Sequence, residues 1–165
     1  MDLLKEALDW AKAEVFSASF FVLFGIAFLI ATYGFWQMGK TDFAKSFLYP
    51  TMVAGILLLA IGVGLVYSNK TRINNFPKAH QKDATAFLQE EVERVEKTMS
   101  DFERILFKII PLIIVIAALV IVFVNKPLWQ AIGITTIAFM VILLLVDSNS
   151  YARLAAYHKQ LMLIQ

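Results

Sequence analysis

Four stretches of this chain carry no charged residue: Val15–Gly39, Ser46–Asn69, Ile109–Asn125 and Pro127–Val146. A helix rises about 1.5 Å per residue and the hydrocarbon layer of a bilayer is roughly 30 Å thick, so about 20 apolar residues cross it. The first two stretches exceed that length and the fourth meets it. The third reaches it once Ile105–Phe107, on the far side of the single Lys108, are counted in. One such window is compatible with a buried helix of a soluble protein. Here there are four in 165 residues, and only 17% of the chain is charged, against about 25% in a soluble domain. The expectation is an all-α polytopic membrane protein, one membrane domain over residues 1–165. Its spans fall at about 15–36, 47–67, 105–124 and 128–146, packed as a four-helix bundle of two antiparallel hairpins.

Lysine and arginine set the orientation. Lys5 and Lys12 precede the first span. Lys70, Arg72, Lys78, Lys82, Arg94, Lys97, Arg104 and Lys108 lie between the second and third, and Arg153 and Lys159 follow the fourth. The other side holds only Lys40, Lys45 and Lys126. Basic residues favour the cytoplasmic side, so an integral membrane protein with both termini cytoplasmic, as in a cell inner membrane, is expected. Residues 1–14 lack the basic start of a signal peptide, and the first span is expected to serve as its own insertion signal. The apolar pattern still runs at Leu163-Ile164 with no helix stop signal, so a continuation beyond Gln165 fits the pattern.

Between the spans, the outer connections are short: Gln37–Lys45 and Asn125-Lys126-Pro127. Leu3, Leu4, Ala7, Leu8 and Ala11 form one apolar stripe ahead of span one. Asn74-Asn75-Phe76-Pro77 reads as a turn. From about Lys78 a helical pattern over 78–104 continues into span three, with Pro111 producing at most a kink. Ala84, Leu88, Val92, Val95, Met99, Phe102 and Leu106 recur at spacings of four, four, three, four, three and four, a heptad-like coiled-coil seam. Glu90 with Arg94, and Glu93 with Lys97, are spaced as ion pairs on the opposite face. After Asp147-Ser148-Asn149-Ser150, Tyr151, Leu154, Tyr157 or His158, and Leu161 recur at helical spacing, so a C-terminal helix over 151–165 is expected, with room for span four to continue outward into it. Ala27 with Ala31, and Ala60 with Gly64, have the small-residue spacing that lets helices approach closely.

The seam must be buried against something. Three covers are possible: the C-terminal helix of the same chain, a second copy, or a partner protein. Counting outward from the turn at Lys126, Lys108 and Asp147 reach similar depth on neighbouring helices, which predicts an ion pair at the inner rim. The chain has no cysteine and no His-x-x-x-His spacing, so neither metal nor other cofactor is expected, and no nucleic-acid partner. The rim residues Glu14, Asn69, Arg72, Glu103, Arg104, Lys108, Asp147, Arg153 and His158 could assemble a site on lipid head groups, but their order forms no motif. No ionisable group lies deep in a span, which counts against ion-coupled transport. The leading expectation is a small structural, interaction or regulatory membrane subunit acting through its cytoplasmic helices. The alternatives are an oligomeric channel or small-solute transporter with a pore lined by Thr and Ser, and an interfacial enzyme.

Overall fold

The computed structural model describes residues 2–164, which form α1 (Leu3–Met38), a short α2 (Asp42–Ser46), α3 (Leu48–Lys82), α4 (Ala84–Arg104), a π-helical turn (Ile105–Ile109), α5 (Ile110–Phe123) and α6 (Pro127–Ile164). Four helical stretches, Leu3–Met38, Asp42–Lys82, Ala84–Phe123 and Pro127–Ile164, are long and apolar enough to cross a bilayer. The chain is an all-α, polytopic integral membrane protein. Three helix starts, those of α1, α2 and α4, are capped by side chains: Asp2 accepts from the Leu4 N–H, Thr41 from Ala44, and Asp83 from Thr85 and Ala86.

Two features differ from the sequence expectation. The turn anticipated at Asn74–Pro77 is absent, and α3 runs through Pro77 to Lys82 before the break at Asp83. A proline inside a helix costs about 3 kcal/mol. Phe76 is buried and meets the Phe87 ring edge-on at 5.4 Å. Burying such a ring returns about 1.5–3 kcal/mol and the aromatic pair about 1 more, so packing outweighs the local breaker. At 147–150, α6 continues unbroken from Pro127 to Ile164. The second difference is the π turn ahead of Pro111. There the Ile110 N–H reaches back five residues to the Ile105 carbonyl. Widening the helix at this point makes room for the proline ring, which would otherwise press on the preceding turn.

In the apolar half, α1 and α3 pack antiparallel along their lengths, meeting at glycines. A Cβ on Gly25 would stand 2.9 Å from the Leu59 backbone N, and one on Gly62 would stand 2.9 Å from that of Val22. Ala27, Ala31, Ala60 and Gly64, the small residues singled out by spacing, are all exposed. The helices approach through a different face, that of Gly25, Gly55 and Gly62. Inside lipid both faces of a span are apolar, so spacing alone does not tell which one packs. The Thr32 and Thr51 hydroxyls lie 2.9 Å apart across the same interface.

Helix α6 packs on both α1 and α3, burying Ile142 and Val146 with Phe21 and Leu58. Ser46 on α2 donates to the Pro127 carbonyl at 3.1 Å and ties the two outer connections together. Helix α5 lies against α6 with no comparable contact to α1 or α3. Leu112, Val115, Ile116 and Leu119 of α5 stay exposed. The membrane half is thus a three-helix group with α5 alongside.

Beyond the apolar half, the four long helices share a second core. It contains Leu3, Ala7, Trp10 and Ala11 of α1, Phe76 of α3, Phe87, Val92 and Val95 of α4, and Leu154, Tyr157 and Leu161 of α6. In contact with water, burial of apolar surface in such a cluster is driven at about 25 cal/mol per Å². The membrane half lacks that driving force and depends on close packing and hydrogen bonds.

Candidate functional site: a polar junction beneath the second core

The seam residues fall where the second core needs them. Val92, Val95 and Leu106 are buried, Leu88, Met99 and Phe102 partly so, and Ala84 at the cap of α4 is exposed. Leu88, Met99 and Phe102 pack against the cluster built with α1, α3 and α6. Within the chain, α6, α1 and α3 cover Leu88, Val92, Val95, Met99 and Phe102. Phe87 and Glu91 are buried as well and stand outside the seam. Their proximity to a seam position was the available signal, but a glutamate on an amphipathic helix reads as solvated.

Glu91 is only 4% exposed, and its partners explain why burial is tolerated. Arg94 donates through Nε and Nη2 to its two oxygens, at 2.9 and 2.6 Å. The Tyr157 hydroxyl donates to Oε2 at 3.0 Å. The sequence pairing of Arg94 with Glu90 therefore gives way to Glu91, one residue nearer. Burial pushes the Tyr157 phenol well above its ordinary pKa, and the Glu91 charge adds to this. It stays protonated and remains a donor. The Tyr157 ring stacks on the Trp10 indole at 5.4 Å, and the Arg94 guanidinium stands 4.4 Å from the same indole. Such cation–π contacts contribute about 0.5–2 kcal/mol. Three helices, α1, α4 and α6, are joined through these four side chains.

A second set lies toward the membrane. Arg153 of α6 donates through Nη2 to Glu14 at 3.0 Å, to Ser150 at 3.0 Å and to Ser17. It thereby anchors α6 to α1. On α3, the buried Asn69 donates to the Leu65 carbonyl and accepts from Arg72 Nη1 at 2.9 Å. Arg72 also lies 5.8 Å from the Trp10 ring centroid. Burial lowers the Arg72 pKa, and the like charge of Arg94 lowers it further.

Of the rim residues named from sequence, Glu14 with Arg153 and Asn69 with Arg72 meet in this junction. Glu103 accepts from the Tyr151 hydroxyl at 2.8 Å, and His158 stands 3.4 Å from Glu96. Arg104 and Lys108 are exposed. The expected Lys108–Asp147 pair is a correction. Among the described residues, ion pairs within 4.0 Å are Lys12–Asp9, Arg94–Glu91, Arg153–Glu14 and His158–Glu96. Asp147 lies in electrostatic reach of Glu14 instead. Lys108 lies within the π turn and its side chain is exposed.

An apolar groove of about 520 Å³ lies between α3 and α6, lined by residues such as Tyr49, Val53, Leu57, Leu128, Ile132 and Phe139. Thr135, in its wall, is buried with no partner for its hydroxyl. No cluster of three or more metal-ligating side chains occurs among the described residues. Comparison with protein-family models, characterised proteins and solved structures finds no match.

Proposed function

We propose that this chain is a small integral membrane subunit with a structural, interaction or regulatory role, acting through the helical surface of its lobe. The supporting observation is the second core, since Leu3, Phe76, Val95 and Leu161 bring all four long helices into one apolar cluster. Such a core makes the lobe a rigid platform fixed to the membrane helices. Both termini and the lobe are then cytoplasmic, because the lobe end carries most of the lysines and arginines. The two membrane hairpins carry the lobe, and α4 feeds into the third span through the π turn. Since the seam is spent on the internal core, a partner meets the opposite face of α4, where Glu90, Glu93 and Lys97 are exposed. Several span hydroxyls serve helix packing: Thr32 and Thr51 hold each other, and Ser17 holds Arg153.

The test is purification of the tagged chain from its native membranes in mild detergent, followed by identification of what accompanies it. One stoichiometric partner is expected. The double substitution Glu90→Lys, Glu93→Lys should reduce its recovery on the order of tenfold, as charge reversal at an interface does. Recovery of the chain alone, or undiminished recovery with the double variant, contradicts the proposal.

A further inference from the structure

The groove between α3 and α6 begins at the end of the bundle away from the lobe. Its walls run from Tyr49 to Leu57 on α3 and from Leu128 to Met140 on α6. Those stretches are about 12 and 18 Å long. Ala54 and Thr135, both buried and short, line it where the two helices come nearest the bundle interior. Toward the lobe the space is taken up by Leu58, packed with Phe21, Ile142 and Val146. The groove is therefore closed near mid-bilayer.

That length selects the occupant. A spanning helix of another protein needs about 30 Å of interface, and the cluster at Leu58 stops anything about 10 Å wide from following the groove further. One leaflet of hydrocarbon is about 15 Å deep, the reach of a single lipid acyl chain. The volume, about 520 Å³, lies within the range of sites that enclose one small ligand. None of the lining side chains is charged, and an unfilled apolar groove forfeits dispersion contacts along its walls.

The mouth supplies the other half of the ligand. Ser46 donates to the Pro127 carbonyl at 3.1 Å, so Lys45 and Lys126, the residue before each, sit at the end where Tyr49 and Leu128 open the groove. The connections at that end carry Lys40, Lys45 and Lys126 against the single carboxylate of Asp42. Among the described residues, no ion pair within 4.0 Å involves any of the four, and Lys45 and Lys126 are exposed. Lysine binds phosphate as a point charge.

We propose that the α3–α6 groove holds one acyl chain of a phospholipid from the leaflet opposite the lobe, with its phosphate at Lys45 and Lys126. The full chain is purified in mild detergent, supplied with dioleoylphosphatidylglycerol, and its bound species are counted by native mass spectrometry. The wild type should retain one phospholipid per chain. Val53→Trp fills the groove from a position 52% exposed and should lower occupancy on the order of tenfold. Val63→Trp, 59% exposed on the same helix but outside the groove, should match the wild type. The double variant Lys45→Gln, Lys126→Gln should also lose lipid. If Val53→Trp does not fold, Leu128→Trp fills the same groove from α6. No phospholipid on the wild type, or equal retention in the groove-filling and Val63→Trp variants, overturns the site. So does undiminished retention in the lysine variant, or a dimer of this chain that Val53→Trp dissolves, which would make a second copy the occupant.

Discussion

Val95→Glu is expected to unfold the lobe while leaving the membrane helices inserted. Val95 is 0% exposed and its neighbours in the second core are Leu, Phe, Trp and Tyr side chains. The nearby Arg94 guanidinium and Tyr157 hydroxyl are already committed to Glu91. A carboxylate placed there must lose its hydration without gaining a partner, a change that costs about 4 kcal/mol or more. Domains are stable by only about 5–15 kcal/mol in total. Limited proteolysis should therefore cut Val95→Glu within 84–104 under conditions where the wild type resists. Glu93→Ala, at an exposed position two residues away, should change stability by less than about 0.5 kcal/mol. If the seam instead awaited a partner, the isolated Val95→Glu protein would be as resistant as the wild type.

Gly62→Val is expected to drive α1 and α3 apart, and Gly64→Ala to do no harm. A Cβ at Gly62 meets the backbone of Val22 and the Cβ of Phe21, and neither can rotate away. Helix separation forfeits the dispersion contacts that hold a membrane interface together, so the cost is about 3 kcal/mol. A Cβ at Gly64 meets nothing within 4 Å. Replacing a helical glycine with alanine in open space stabilises by about 0.4–1 kcal/mol. Unfolding in mixed micelles, titrated with sodium dodecyl sulfate, should show the midpoint falling for Gly62→Val and holding or rising for Gly64→Ala. Equal destabilisation by both would remove the assigned packing face.

The four spans were legible because charge is excluded from hydrocarbon whatever the helices pack against. The seam from Leu88 to Leu106 was legible for the matching reason in water, where an amphipathic pattern demands a cover. What covers it was not, since the pattern is the same for a partner, a second copy or the chain itself. Local rules failed wherever tertiary packing outweighed them. Pro77 sits inside α3 because Phe76 is buried, and Glu91 is buried because Arg94 and Tyr157 meet it. The Lys108–Asp147 expectation rested on similar depth, which does not say which way each side chain faces, and Lys108 stands exposed in the π turn. Nothing in the sequence pattern brings Trp10 and Tyr157 together. Each looks like an ordinary apolar-face aromatic until the fold stacks them.

The central claim is that α4 is covered by α6 of its own chain. The sequence has no cysteine, so a single pair can be placed cleanly. Glu96 and His158 face each other across these helices, with side-chain tips 3.4 Å apart. In a Glu96→Cys, His158→Cys variant, a short bis-maleimide should link the two positions within one chain. The mass should be that of a monomer plus one linker, independent of protein concentration. Linked dimers that grow with concentration, and no internally linked monomer, would contradict the account.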